Sequence, residues 1–171
     1  MKINPHMFRG YDLRGIAGTD LNPEIVEHIG KAFGTFLKRQ SICEAVVGRD
    51  SRATSPEYAE AMIRGMIWAG IDTVDIGMTM VGTLYWSQYH LNQKGGVFIT
   101  ASHNPAEYNG MKFANDFSET LVSEGMNELR RMVEEDDVEK GEKEGKVEKT
   151  DVLDAYVDDL KKRMNKWHTP S

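Results

Sequence analysis

Hydrophobic positions fall into short unbroken runs separated by longer stretches in which they recur every three or four residues. Ile25, Ile29, Phe33, Phe36 and Leu37 hold the helical spacing, and Asn22-Pro23-Glu24 before them can cap and start a helix, which is expected to reach about Gln40. Ala45 to Val47 then reads as a short strand, closed by the loop Gly48-Arg49-Asp50-Ser51-Arg52. Ser55-Pro56-Glu57 opens a second helix with Ala59, Met62, Ile63, Met66 and Ile67 on its stripe and Gly70 as its stop. Ile71 to Ile76 gives the next strand, Thr83 can cap a third helix to about Leu91, and Lys94-Gly95-Gly96 turns the chain into a strand at Val97 to Ile99. Gly110 to Ala114 is a further strand candidate, and a fourth helix is expected over Leu121 to Val133. Gly125 inside it costs about 1 kcal/mol relative to alanine. Strands alternating with helices imply right-handed crossovers. The expected fold is a three-layer α/β/α domain with a mostly parallel, mixed sheet of about four strands.

The pattern changes after residue 134. From Glu134 to Thr150 the chain is almost entirely Glu, Asp, Lys and Gly, with Val138 and Val147 its only hydrophobes, and such a stretch is not expected to order itself. Asp151 then starts an amphipathic helix carrying Leu153, Tyr156, Val157, Leu160 and Met164, ending near Trp167. Its stripe needs cover, from the first domain or from a further one. The division is thus 1–134 as a domain, 135–150 as a charged linker and 151–171 as a helix beyond it. With 171 residues, 40% hydrophobic and 28% charged, the chain is long enough for one good core and ordinary for a globular protein. A net charge of −6 and no Lys/Arg stripe argue against nucleic acid as a partner. The lone Cys43 excludes an intramolecular disulfide and is expected to be a small buried hydrophobe. With no long apolar run and no signal-like amino terminus, the reading is cytoplasmic, with no membrane partner.

The chemistry concentrates in three segments. Ser102, His103, Asn104 and Pro105 cannot continue the Val97 strand, so Ser102 lies in a loop at the carboxyl end of that strand, where open α/β sheets bind ligands. No Gly-x-Ser-x-Gly elbow is present, and a histidine next to its serine is expected to point away from it, so a serine hydrolase is disfavoured. A phosphoserine suits the loop better. Its charge of about −1.5 to −2 needs cations and donors, which Asn104, Lys112 and loop amides can supply. The second segment, Phe8 to Gly15, sets Arg9, Tyr11 and Arg14 among glycines and reads either as an anion-contacting loop or as a turn with solvated arginines. The third is Gly48 to Arg52, where Asp50 reads as the partner of Arg49 or Arg52 in a structural ion pair ahead of a direct substrate role. His28, His90, Trp68 and Trp86 lie within helical patterns and read as packing or surface residues.

Thr100-Ala101-Ser102-His103-Asn104-Pro105 closely resembles the phosphoserine loop of the α-D-phosphohexomutases. Phe8-Arg9-Gly10-Tyr11-Asp12-Leu13-Arg14-Gly15 is similar to the family pattern Phe-Arg-x-Tyr-Asp-x-Arg-Gly, and Gly48-Arg49-Asp50-Ser51-Arg52 resembles its Gly-x-Asp-x-Arg segment. The resemblance runs from about residue 6 to 165 and implies the family's first domain, its linker and the opening helix of its second. It points to the phosphomannomutase and phosphoglucomutase branch, because the phosphoglucosamine branch carries Phe-Gly-Thr-Asp-Gly at this place. What it implies for chemistry is a phosphorylated Ser102 that donates its phosphoryl group to a hexose 1-phosphate and recovers one from the 1,6-bisphosphate intermediate. By the same resemblance His103 and Asn104 shape the loop, and Lys112 and Arg14 stabilise developing charge and assist proton transfer. Tyr11, Asn104 and Arg9 contact the phosphosugar, and Mg²⁺ is held at Ser102 through its phosphate.

The family draws its Mg²⁺ carboxylates from an Asp-Gly-Asp-Gly-Asp-Arg loop in domain II, which is not in this sequence. The sugar and phosphate loops of domains III and IV are not here either. Domains II–IV of a parent enzyme are therefore expected partners, and the chain alone is expected to lack mutase turnover. Two departures bear on loop geometry: Val81-Gly82 stands where a Thr-Pro pair is common, and Phe113-Ala114-Asn115-Asp116 lacks the usual glycines. Mannose or glucose preference is not legible. The rival reading is a non-catalytic phosphosugar-binding or interaction module derived from the family.

Overall fold

A computed structural model of the protein describes residues 3–167; residues 1–2 and 168–171, the outermost parts of the expected domain and terminal helix, lie outside them. After a single 3-10 turn at Pro5–Met7, the elements are β1 (Leu13–Ile16), α1 (Pro23–Arg39), β2 (Glu44–Arg49), α2 (Ser55–Trp68), β3 (Asp72–Met78), α3 (Val81–His90), β4 (Gly95–Ile99), β5 (Tyr108–Asp116), β6 (Glu119–Thr120), α4 (Ser123–Glu135), β7 (Val147–Lys149) and α5 (Leu153–Trp167). The strands form one sheet in the order β1-β5-β4-β2-β3-β7, with β6 on β5. β2 pairs in parallel with β3 and β4, and β3 with β7, whereas β5 is antiparallel to β1, β4 and β6. β5 alone runs against the rest, so the sheet is mixed but mostly parallel.

Alternate residues along the central strands enter opposite layers, as a strand covered on both faces requires. Val47, Val97 and Ile99 join the larger core with Phe33, Tyr58, Met62 and Leu129 of α1, α2 and α4. Val46 and Phe98 join the smaller one with Leu84 of α3 and Val152. The three-layer α/β/α reading therefore holds. α1 and α2 approach so closely that a Cβ on Gly65 would lie 2.1 Å from the Glu27 carbonyl oxygen, and this contact fixes the helical layer behind β2.

Among the described residues the sheet has seven strands, not about four. Three went unread because their side chains carry no apolar run. β1 is Leu13-Arg14-Gly15-Ile16, β6 is two residues long, and all of β7 is exposed. β7 is held by backbone pairing of Val147 to Lys149 with Thr73 to Asp75. The charged segment before it is ordered as well, against expectation. Gly141 N–H donates to Trp68 O at 3.0 Å and Gly145 N–H to Ile67 O at 2.8 Å, Lys146 N–H donates to Asp72 Oδ1 at 2.7 Å, and Val138 packs on the main core. Backbone partners replace the hydrophobic burial that the sequence lacks. α5 divides its stripe: Tyr156 packs against Trp86, with ring centroids 5.3 Å apart, while Leu153, Leu160 and Met164 stand exposed. Among the described residues, no helix is long and apolar enough to cross a membrane.

Candidate functional site

Ser102 follows β4 by a short step, and its surroundings are assembled from four separate stretches of chain. Its backbone adopts φ 56°, a left-handed conformation that a non-glycine residue holds at a cost of about 1–3 kcal/mol. The Thr100 hydroxyl accepts the Ser102 N–H at 2.8 Å and helps fix that turn. The side chain is exposed, with Oγ 3.4 Å from His103 Nδ1. The histidine thus lies beside its serine rather than pointing away, because the left-handed residue breaks the extended alternation on which that expectation rested. His103 has no carboxylate partner among the described residues, so the pair lacks the third member of a hydrolase triad.

Arg14 comes from the edge strand β1 and is nearly buried, 6% exposed. Its Nε donates to Asp12 Oδ2 at 2.8 Å, its Nη1 donates to the Ala101 carbonyl at 3.2 Å, and the same nitrogen meets the Asn104 side-chain oxygen. Asp12, 2% exposed, leaves its Oδ1 buried without a partner among the described residues. Lys112 lies on β5 with Nζ 3.9 Å from Asp12 Oδ2 and 4.8 Å above the Tyr11 ring. Tyr11 and Arg9 sit in the exposed turn between Phe8 and Leu13, closed by Arg9 N–H donating to Asp12 O at 2.8 Å. Ser102, Asn104, Thr100 and Lys112 line one cavity of about 600 Å³ with Arg52, Asp50 and residues 79–81, which lead into α3. The expected residues therefore converge, except that Arg9 makes no side-chain contact with them among the described hydrogen bonds and ion pairs.

Arg52, which the sequence reading set aside in favour of an ion pair, does more than pair. Its Nε is 3.3 Å from Asp50 Oδ2, and its terminal nitrogens donate to the carbonyls of Ser102 (2.9 Å), Asn104 (2.6 Å), Pro105 (2.7 Å) and Tyr108 (2.9 Å). Asp50 Oδ1 in turn accepts from Arg52 N–H at 3.0 Å and from the Ser55 hydroxyl at 2.6 Å, which ties the loop after β2 to the start of α2. Arg52, Asp12 and Thr100 are the residues that sequence reasoning undervalued. The Gly-x-Asp-x-Arg spacing was the signal for the first.

The carboxylates at hand do not suit a complete Mg²⁺ cage. No group of three or more His, Cys, Asp or Glu side chains gathers among the described residues, Asp50 is committed to Arg52 and Ser55, and Asp12 to Arg14. Magnesium favours several oxygen ligands, and the carboxylates gathered among the described residues do not by themselves supply such a set.

The chain that carries this arrangement, an exposed serine on a clamped loop at the carboxyl end of a sheet strand, has relatives. Residues 5–140 match the family model of phosphoglucomutase/phosphomannomutase, α/β/α domain I, and the chain belongs to that family. It is 37% identical over 156 residues to a phosphomannomutase of Vibrio cholerae, an alignment covering 90% of this chain and 34% of that protein. A phosphomannomutase of Klebsiella pneumoniae is 38% identical over 154 residues, covering 88% of this chain and 96% of that protein. Among solved structures, a phosphoglucomutase/phosphomannomutase family protein of Burkholderia thailandensis superposes with a TM-score of 0.85 at 30% identity, over 92% of this chain and 35% of that one. The chain spans about a third of the length of the Vibrio cholerae protein and of the Escherichia coli phosphomannomutases that it also matches.

Proposed function

We propose that the chain is the phosphoserine-bearing domain of a phosphohexomutase that interconverts hexose 1-phosphate and hexose 6-phosphate, on mannose or glucose, through a 1,6-bisphosphate. The observation that carries this reading is the exposed Ser102 hydroxyl at a cavity shared with Lys112, on a loop held by buried Arg14. In the transfer, Ser102 Oγ forms a bond to the phosphorus of the bisphosphate, the bond from phosphorus to the sugar oxygen breaks, and the serine proton ends on that sugar oxygen. The products are phosphoserine and a hexose monophosphate. The reverse step places the phosphoryl group on the other sugar hydroxyl. In this reading Lys112 and Arg14 oppose the charge that develops on the moving group and assist proton transfer, and His103, with Nδ1 3.4 Å from Ser102 Oγ, shapes the loop beside the serine, in keeping with phosphoryl transfer driven by positioning and electrostatics. Tyr11, Asn104 and Arg9 are the proposed sugar-phosphate contacts. A Mg²⁺ ion held through the phosphoserine would take its carboxylates from outside the described residues.

The domains that complete the longer relatives supply the remaining substrate contacts in this reading, so the isolated chain accepts a phosphoryl group slowly and does not isomerise. Incubation with labelled glucose 1,6-bisphosphate is expected to leave label on the protein, while glucose 1-phosphate supplied to the chain alone is expected not to be isomerised. Protein that takes up no label contradicts the carrier role, and rapid isomerisation of glucose 1-phosphate by the chain alone contradicts its dependence on further domains.

A further inference from the structure

Arg52 lies on a different loop from Ser102 and its guanidinium is turned toward the serine loop's backbone, with four carbonyls, those of Ser102, Asn104, Pro105 and Tyr108, as acceptors. A salt bridge to Asp50 alone would need none of them. We infer that Arg52 is a positioning residue for phosphoryl transfer, resting on the function proposed above: it sets the peptide planes of the Ser102 loop so that the serine is held left-handed and the loop's free amides face the phosphate.

A trans peptide sends its N–H opposite to its C=O. With the Ser102 and Pro105 carbonyls drawn onto Arg52, the N–H groups of His103 and Ala106 point away from the guanidinium. Among the described residues neither donates to a protein acceptor. Free N–H groups in a tight turn are the donors that an added phosphate dianion requires. The same clamp opposes relaxation of Ser102 from φ 56°, a conformation that persists only where its surroundings over-determine it. The planar fork with its several donors explains why arginine suits the place. A lysine ammonium at the same position is a point charge that cannot span carbonyls so far apart along the loop. Asp50 completes the device by fixing the Nε side of the guanidinium and anchoring it to α2 through Ser55.

The test compares wild type, Arg52→Lys and Arg52→Ala in two measurements on the full chain. In loading from glucose 1,6-bisphosphate, Arg52→Lys is expected to lower the maximal rate on the order of 10²-fold at an unchanged half-saturating concentration, and added guanidinium ion is expected to restore part of the rate to Arg52→Ala but none to Arg52→Lys. In amide hydrogen exchange, residues 101–109 are expected to exchange faster in both variants, while β2 and the α1–α2 contact keep wild-type protection. Loading by Arg52→Lys at the wild-type rate, or protection of 101–109 unchanged by either variant, overturns the inference. If wild type itself takes up no phosphoryl group, the proposed function fails, and the exchange measurement still decides whether Arg52 holds the loop.

Discussion

Around Ser102 the charged side chains are few, buried or part-buried, and two of them, Arg14 and Arg52, reach backbone carbonyls, whereas beside α4 they are many, more exposed and aimed at one another. Arg14 is 6% exposed and Asp12, which accepts from it, 2%; Arg14 holds the carbonyl of Ala101, and Arg52 those of Ser102, Asn104 and Pro105. Beside α4, Asp137 bridges Arg39 and Arg131, which also reach Glu139 and Glu128. The larger network has more ion pairs and less control over shape. Exposed pairs contribute little each and are screened by salt, while a buried charge that loses its partner is costly. The contrast teaches that charge at the serine loop builds geometry, and charge beside α4 joins α1 and α4 to residues 137–139, whose backbone is already held by Met132 O and the Thr35 hydroxyl.

The sharpest break in that comparison is Arg14→Ala, which strands the Asp12 carboxylate in the interior and is expected to cost about 3–5 kcal/mol of stability in urea unfolding. Removing Asp12 as well is expected to recover part of this loss, because the two charges act as a unit. A cost below that of an ordinary surface change would mean the pair is not truly buried. Next in size is Lys112→Met, expected to slow phosphoryl loading about 10²–10³-fold with little change in the unfolding midpoint, since Lys112 makes only a long ion pair to Asp12 and a contact with the exposed Tyr11 ring. Loading at the wild-type rate would remove Lys112 from the transfer step.

The smallest expected effect is at the exposed network. The Arg39 and Arg131 guanidiniums hold the Asp137 carboxyl well below its ordinary value of 3.8. A depressed carboxylate stabilises the fold above its unfolded pKa and loses that contribution as pH falls through the folded one. The stability difference between wild type and Asp137→Asn should therefore be small at about pH 7, shrink from about pH 4 downward and shrink again in high salt. A difference that grows on acidification, or one that exceeds the Arg14→Ala effect, would reverse the comparison.

Local signals carried the helices and central strands. Asn22 caps α1 by accepting from Ile25 N–H at 2.8 Å, and Gly70 stops α2 at φ 92°. Thr83 is not a cap: α3 starts at Val81 and the Thr83 hydroxyl is buried without a partner among the described residues. Cys43 is exposed rather than packed away, since it directly precedes β2, outside the run Ala45 to Val47 that enters the core. Both misreadings concern a residue type read without its neighbours in space. β7 was illegible for a different reason: a strand added along a sheet edge by backbone pairing leaves its side chains free to be Glu and Lys. At the site, Ser102, His103, Asn104, Lys112 and Arg14 were readable because their segments resemble the family's, and the structure brings them together. The buried Asp12 and the grip of Arg52 were not, because which carbonyls a guanidinium meets is decided by how β2 and β4 lie side by side.

The central claim is that the Ser102 hydroxyl carries a migrating phosphoryl group. Peptide mapping by mass spectrometry after incubation with glucose 1,6-bisphosphate tests it most directly: the added phosphoryl group should sit on the peptide containing Ser102 and be missing from Ser102→Ala, whose fold is otherwise unchanged. An unmodified Ser102 peptide, or equal labelling of Ser102→Ala at another residue, would contradict it.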